Sequence, residues 1–174
     1  MTTKRSNFCA LGRNGKIQCW GDNRMGQLGN RTTNGGVVPV DASIDTSAID
    51  VSAGGGFTCA NLSNGTIQCW GDNGTGQLGN GSADDMSDAP VTVSGLTNAV
   101  AIEAGQVHAC ALLRTGTVQC WGDNQDGALG NGTLVDSPVP VTVVGITQAI
   151  AVATGDSHSC AMLSGGSVQC WSLG

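Results

Sequence analysis

Eight cysteines are the side chains of this sequence best placed, by type and spacing, to do chemistry. In each pair the second cysteine follows the first by ten positions, and successive pairs are 50 or 51 positions apart. Such pairs can form disulfides, bind zinc or stay as reduced thiols in a buried core. Structural zinc sites use a shorter spacing, so disulfides are favoured and reduced thiols are the alternative. The pairs are Cys9 and Cys19, Cys59 and Cys69, Cys110 and Cys120, and Cys160 and Cys170.

A short β-hairpin would bring the two cysteines of each pair together. In the second pair a three-residue loop at 63–65, with Gly65 in the left-handed conformation of a bulged turn, puts Cys59 opposite Cys69. Counting outward from the loop, the two cysteines form a non-hydrogen-bonded pair, where side chains approach most closely. The sequence therefore predicts four local disulfides, each stabilising the fold by about 3 kcal/mol through loop-closure entropy. Oxidised cysteines indicate a location outside the cytosol, extracellular or on the cell surface.

The cysteine pairs belong to a repeat of about 50 residues, and other positions recur in register with them. A tryptophan follows each second cysteine, and three copies continue with Gly-Asp-Asn and then Gly-Gln-Leu-Gly-Asn or Gly-Ala-Leu-Gly-Asn. We expect the tryptophan to cover a neighbouring unit or the rim, the glycine to take a positive φ and the leucine to anchor its loop in the core. These positions are Trp20, Trp70, Trp121 and Trp171, Gly26, Gly76 and Gly127, and Leu28, Leu78 and Leu129.

The hairpins alternate with further strand-like segments, so each unit contains roughly four short strands joined by Gly and Asn turns. Segments rich in Val and Pro occur at 38–40, 90–93 and 140–143, and apolar runs occur at 49–53, 99–104 and 149–153. Strand-only units of about 50 residues are typical of β-propeller blades, whereas β-solenoid coils repeat at shorter intervals. The sequence predicts an all-β, propeller-like array in one repeat domain, with units at 1–48, 49–98, 99–148 and 149–174, of which the first and last are incomplete.

Composition excludes several classes of function. Charged residues make up 11% of the chain and the net charge is −6, which argues against binding to nucleic acid. No run of about 18 apolar residues is present, so we expect no membrane insertion. The opening MTTKRSNFCALG does not read as a signal peptide as it stands.

The remaining candidates for chemistry have structural interpretations. His108 and His158 occupy one repeat position, which indicates a packing or hydrogen-bonding role, and no catalytic constellation or phosphate loop stands out. The acidic turns 123–127 and 84–85 could hold Ca²⁺, although the Glu that completes an EF-hand loop is missing. We therefore predict a non-enzymatic protein without a cofactor, with Ca²⁺ as the one weak exception.

The segment CALLRTGTVQCWGDNQDGALGNG, with AGQVHA before it and SPVPVTVVGI after it, resembles the regulator of chromosome condensation repeat family. Residues 51–171 are similar to the family pattern with few departures. Kelch repeats have a similar length, but their Gly-Gly and Tyr signature is missing here. The resemblance implies a β-propeller that is usually closed by seven blades, and the paired cysteines are similar to those of secreted or surface-attached bacterial and archaeal members.

A closed ring needs about seven units, whereas this chain contains about three and a half, and its first and last units are incomplete. Unfinished blades leave backbone groups that favour pairing with another chain. Two chains could complete one ring, head-to-tail exchange could produce a filament, or the chain could be an excerpt from a longer propeller. A homo-oligomer or part of a larger chain is therefore expected.

Function follows less directly than fold, because one fold carries unrelated activities in its loops. Our first hypothesis is a non-catalytic extracellular or surface module that binds a protein partner or copies of itself. The alternatives are a structural subunit of an extracellular fibre or sheath and, from the resemblance alone, an exchange factor or an inhibitor. We expect binding at the loops that depart from the repeat, residues 31–37 and 82–89.

Overall fold

A computed structural model describes residues 7–173, which form only strands, turns and irregular segments. No helix in this range is long and apolar enough to cross a membrane. Residues 1–6, where the first predicted unit begins, and Gly174 lie outside the described residues. The strands are β1 Asn7–Leu11, β2 Ile17–Gly21, β3 Gly36–Asp41, β4 Ala48–Ala53, β5 Phe57–Leu62, β6 Ile67–Asp72, β7 Met86–Thr92, β8 Ala99–Ala104, β9 His108–Leu113, β10 Val118–Gly122, β11 Ser137–Thr142, β12 Ala149–Thr154, β13 Ser159–Leu163 and β14 Val168–Trp171.

The strands form four antiparallel sheets in which neighbours along the chain pair with each other. The first sheet contains β1 to β3, the second β4 to β7, the third β8 to β11 and the fourth β12 to β14. The inner strands of successive sheets lie side by side, β4 against β8 and β8 against β12. This arrangement confirms the predicted all-β array, and within residues 7–173 no sheet closes on itself. The predicted unit bounds stay a prediction, because a continuous repeat can be divided at several points.

Each cysteine hairpin has the register that a three-residue loop implies. In the second sheet the Leu62 amide donates to the Thr66 carbonyl at 2.9 Å, and Cys59 lies opposite Cys69. Gly65 has φ +81°, the left-handed conformation that lets so short a loop follow the strand twist. The other three hairpins close in the same way, so local chain geometry positions all four cysteine pairs.

A β-bulge interrupts the pairing near the start of three inner strands. The register shifts between Ala48 and Asp50 in β4, and β8 and β12 shift at the corresponding places. A bulge re-aims the extra side chain, and here that residue is β-branched each time. The bulged residues are Ile49, Val100 and Ile150, which stay substantially exposed.

The core consists of three apolar clusters, and the long connections contribute to them. The long connection that follows each cysteine hairpin inserts its leucine between that sheet and the next. Leu28, Leu78 and Leu129 are almost completely buried in this way. The sheets are therefore held together by loop residues as well as by strand faces.

Antiparallel order gives the array two distinct ends. We call one the hairpin face, which carries the cysteine hairpin turns at 12–16, 63–66, 114–117 and 164–167. The opposite end is the long-loop face, which carries the long connections 22–35, 73–85 and 123–136. A strand of six residues separates the two faces by roughly 20 Å.

Candidate protein-binding surfaces

The structure joins each predicted cysteine pair as a disulfide between neighbouring strands. The Cα atoms of the bonded cysteines are 4.0 to 4.1 Å apart, the short separation of non-hydrogen-bonded partners. The two central bridges, Cys59–Cys69 and Cys110–Cys120, are fully buried. In the fourth sheet, by contrast, Cys170 is exposed and Cys160 is half-buried. The bridges therefore share one geometry but differ in their access to solvent.

The repeated tryptophans connect each sheet to the long loop of the sheet before it. The indole Nε1 of Trp70 donates to the Gln27 carbonyl at 2.9 Å. Trp121 and Trp171 donate to the Gln77 and Ala128 carbonyls at 3.0 and 2.8 Å. Trp20 is the exception, because within residues 7–173 its indole N–H has no acceptor, and its ring stacks on Phe8 with centroids 6.1 Å apart.

The glycines and leucines of the long loops hold those loops between sheets. Gly26, Gly76 and Gly127 have positive φ angles, between +72° and +80°. A Cβ on Gly76 would lie 2.6 Å from the Cα of Pro138 in the next sheet, so the loop approaches closer than a side chain allows. The repeated positions therefore serve contact between sheets.

Repeat reasoning missed a set of buried asparagines in the same loops. The Asn124 Oδ1 accepts from the Leu129 amide at 2.9 Å, and its Nδ2 donates to the Thr133 and Val135 carbonyls. Asn23 and Asn73 bind their leucine amides in the same way, at 2.8 and 3.0 Å. The signal in the sequence is that these asparagines recur in register. Recurrence by itself is also explained by the preference of asparagine for turns.

A second missed feature is a polar contact at alternate boundaries between sheets. Between the first and second sheets the Asn7 Nδ2 donates to the Thr58 Oγ1 at 2.8 Å, and that hydroxyl donates to the Gln27 carbonyl. Between the third and fourth sheets His108 and Ser159 occupy the same two positions, 2.9 Å apart. At the boundary between them the positions hold Phe57 and Ala109, which are apolar and buried. Only a comparison of residues 51 apart could have revealed this alternation.

His108 and His158 share a repeat position but not an environment. His108 is fully buried, and burial followed by the charge of His158 lowers the pKa of His108 to about 4. Its Nε2 donates to Ser159 because that hydroxyl donates onward to the Ala128 carbonyl. His158 is exposed on the fourth sheet. Neither histidine borders a cleft that a substrate could reach together with the Ser159 hydroxyl, which is fully buried.

The acidic turns do not gather a set of metal ligands within the described residues. In the turn 123–127 the Asn124 side chain already binds backbone groups, as described above. The pKa of Asp123 is raised by burial and by the nearby carboxylates of Asp136 and Asp126. These residues thus form a locally negative part of the long-loop face.

The surfaces left for binding are the two faces and the outer sheet edges. Residues 31–37, one of the predicted binding loops, are exposed throughout, and much of 82–89 is exposed or half-buried. Whether these loops bind a partner stays a prediction. On the outer edge of β14 no strand pairs within residues 7–173, and Val168 on that strand is 62% exposed.

Four disulfide-clasped sheets, joined by loops that insert into their neighbours, define a β-propeller repeat protein. The chain belongs to the regulator of chromosome condensation (RCC1) repeat family, whose pattern matches residues 14–60, 64–112 and 115–162. A second form of the same repeat matches residues 48–77 and 99–128. This membership confirms the family resemblance seen in the sequence.

Among the curated proteins that match this chain is a much larger protein. The E3 ubiquitin-protein ligase HERC2 of Homo sapiens and that of Mus musculus are each 32% identical to this chain over 121 residues, which cover 67% of this chain and 2% of HERC2. The chain therefore spans a small fraction of the curated relatives it matches.

Solved structures show the same fold at low sequence identity. Human WBSCR16 has a TM-score of 0.88 and 24% identity, over 98% of this chain and 46% of its own. Yeast RCC1 (Prp20) bound to Kap60 has a TM-score of 0.83 and 20% identity, over 95% of this chain and 41% of its own. Prp20p of Saccharomyces cerevisiae, described with its binding properties to Gsp1p and histones, has a TM-score of 0.80 and 21% identity, over 97% and 43%.

Proposed function

We propose that this chain is a non-catalytic protein-binding module, that it works in an oxidising extracellular or cell-surface environment, and that it associates with copies of itself. The observation that carries the proposal is the way in which an outer strand pairs with the cysteine hairpin beside it, as is seen for the hairpin strands that correspond to β14. In the third sheet the corresponding strand β10 is covered by β11, which pairs Cys120 with Val141 and Gly122 with Ser137. An extended segment supplied by a second copy can pair with a hairpin strand such as β14 in the same way, because strand edges bind extended segments through main-chain hydrogen bonds.

The long loop of the third sheet supports the same reading of this edge. In the second sheet the Gly81 amide donates to the Pro138 carbonyl of the adjacent outer strand at 2.9 Å. Gly132 is the matching residue in the next copy, and its Cβ position has nothing within 4 Å. An extended segment of the Ser-Pro-Val-Pro-Val type would fit both the edge of β14 and this loop.

The chemistry of the side chains favours binding over catalysis. The repeat places its hydroxyl and imidazole groups in contacts between sheets, with Thr58, His108 and Ser159 fully buried. Structures with this fold have been solved with a protein bound, Kap60, or described as binding Gsp1p and histones. These relatives support protein binding in general rather than any particular partner.

The disulfides support the proposed location. Four bridges in 174 residues are typical of proteins from oxidising compartments. Alkylation of the purified protein without reductant, followed by mass measurement, should show no modified cysteine. A product carrying eight modified cysteines would contradict this part of the proposal.

The edge is tested with a peptide that has the sequence of residues 134–144. We expect saturable binding in calorimetry and slower hydrogen exchange at the amides of β14, because the peptide would pair with β14 as β11 pairs with β10. A peptide of the same composition in scrambled order is the control. If neither exchange nor heat distinguishes the two peptides, β14 is not a docking edge.

A further inference from the structure

The two faces of the array carry opposite charge patterns. The hairpin turns contain the cations Arg13, Lys16 and Arg114 and no acidic residue. The long connections contain two arginines against six aspartates, Asp22, Asp84, Asp85, Asp123, Asp126 and Asp136. Lys16 pairs with Asp41 at 3.4 Å, whereas Arg13 and Arg114 form no ion pair with any residue in the range 7–173.

The hairpin face carries an apolar groove between the third and fourth sheets. We call it the bulge groove, because the bulged residues Val100 and Ile150 line it, with 37% and 55% of their surfaces exposed. Leu112, which is almost buried, also lines it, and the exposed Arg114 borders it. Gln148 on its rim has φ +60°, a left-handed conformation that is uncommon for a residue other than glycine. The groove therefore combines unburied β-branched side chains with one unpaired cation.

The long-loop face of the same sheets carries a complementary projection. Leu134 and Val135 are 51% and 72% exposed. Asp136 follows them directly, and Gly127, the residue after Asp126, lies against the Leu134 side chain. The raised pKa of Asp123, caused by burial and by Asp136 and Asp126, reflects the negative field around this loop. Two exposed aliphatic side chains thus share a loop with three carboxylates, those of Asp123, Asp126 and Asp136.

We propose that the bulge groove binds the 133–136 loop of a second copy of this chain. Leu134 and Val135 of one copy would bury the exposed surfaces of Val100 and Ile150 of the other, and Arg114 would meet the carboxylates beside the loop. Both surfaces expose apolar side chains and they carry opposite charges, as complementary contacts between protein surfaces require.

Groove and loop lie on opposite faces, so the contact is head to tail. After pairing, one copy would keep a free groove and the other a free loop, which gives an open stack rather than a closed dimer. This inference rests on the proposed self-association but uses a surface separate from the β14 edge. The peptide experiment can therefore succeed or fail independently of the stack.

The test is sedimentation velocity of the full chain across a concentration series at low and high salt, with electron microscopy of the largest species. We expect reversible association that weakens with salt, because Arg114 pairs with exposed carboxylates. Arg114→Glu and Val135→Asp should each weaken association at least about tenfold. Arg13→Glu, at the matching turn of the first sheet, and Val38→Asp, on the exposed strand β3, are the matched controls and should change little. Circular dichroism verifies that every variant is folded.

A charge exchange makes the test specific. Asp126→Lys alone should weaken association, and Arg114→Glu combined with Asp126→Lys should restore most of it. The inference is wrong if the wild-type chain stays monomeric at about 100 μM, where even weak interfaces form. It is also wrong if the chain associates but Arg114→Glu and Val135→Asp have no more effect than their controls. That second result would leave pairing through β14 as the route of self-association.

Discussion

The Nε2 of His108 lies 2.9 Å from the Oγ of Ser159, across the boundary between the third and fourth sheets, and both side chains are fully buried. Asn7 and Thr58 make the equivalent contact between the first and second sheets, at 2.8 Å. In both cases the hydroxyl donates onward to the carbonyl that also accepts the indole of the next tryptophan. A side chain of one sheet, a hydroxyl of the next and a loop carbonyl thus form one contact that joins neighbouring sheets.

The buried imidazole makes stability depend on pH. Burial lowers the pKa of His108 to about 4, below the value of about 6.5 in the unfolded chain, so the unfolded state binds more protons between these values. The free energy of unfolding should therefore fall as pH drops from 6.5 towards 4, by up to about 3 kcal/mol. Urea unfolding at pH 7 and pH 5 measures the effect, and the histidine variants separate it from the titration of carboxylates whose pKa is raised, such as Asp123. His108→Gln should remove most of the dependence, and His158→Gln should retain it; equal slopes in both variants would contradict the prediction.

The indole contacts between sheets should contribute measurably to stability. Trp70→Phe removes the N–H that binds the Gln27 carbonyl while keeping an aromatic ring, and we expect a loss of about 1 to 2 kcal/mol from the lost hydrogen bond and the smaller ring. Trp20→Phe is the control, because the Trp20 indole N–H has no acceptor within residues 7–173. Chemical unfolding of both variants compares the two losses. A loss at Trp20 as large as that at Trp70 would rule out a role for the indole contact.

Two glycines with the same backbone conformation allow the stability cost of a left-handed φ to be distinguished from the cost of a steric clash. Gly76 and Gly132 have φ +80° and +81°, but a Cβ on Gly76 would lie 2.6 Å from the Pro138 Cα, whereas one on Gly132 meets nothing within 4 Å. Gly132→Ala should cost about 1 kcal/mol from the left-handed conformation alone. Gly76→Ala should cost clearly more, since the loop must move away from the next sheet. Thermal and urea unfolding provide the comparison, and equal costs would show that the close approach does not constrain the loop.

The disulfides should differ in their rate of reduction. Thiol–disulfide exchange needs access of the attacking thiolate to a sulfur atom. Cys170 is exposed, whereas both sulfurs of Cys59–Cys69 and of Cys110–Cys120 are fully buried. Under native conditions dithiothreitol should therefore open Cys160–Cys170 first, and the central bridges should react only through unfolding. Timed alkylation with peptide mapping measures the order, and simultaneous loss of all four bridges would contradict it.

The hairpins and disulfides were predictable because their contacts are local. Ten residues with a glycine at the third position of the turn leave few ways to close a hairpin, so the spacing of Cys59 and Cys69 determines that they face each other. The four-stranded repeat follows from the same kind of local evidence, namely strand-like runs separated by turn residues. Recurrence of the tryptophan and leucine positions indicated contact between units, although it did not say which atoms make it.

The contacts between sheets were not predictable in the same way. Asn7 and Thr58, or His108 and Ser159, are separated by 51 positions and meet only because two sheets pack with a particular offset. His108 is buried because the fourth sheet packs against it, whereas no described sheet covers His158, although the two occupy one repeat position. The β-bulges also turn the side chains of Ile49, Val100 and Ile150 outward, which interrupts the usual alternation of inward and outward side chains along a strand.

The amino-acid order alone was enough to establish an all-β repeat with four clasped hairpins, because hydrogen bonds and bridges over ten residues depend on nearby geometry. Which side chains are buried between sheets, which loop carbonyl each indole reaches and which aliphatic residues remain exposed were settled only by the packing of one sheet on the next. Those outcomes depend on distances between segments far apart in the chain, and no local pattern of residues specifies such distances.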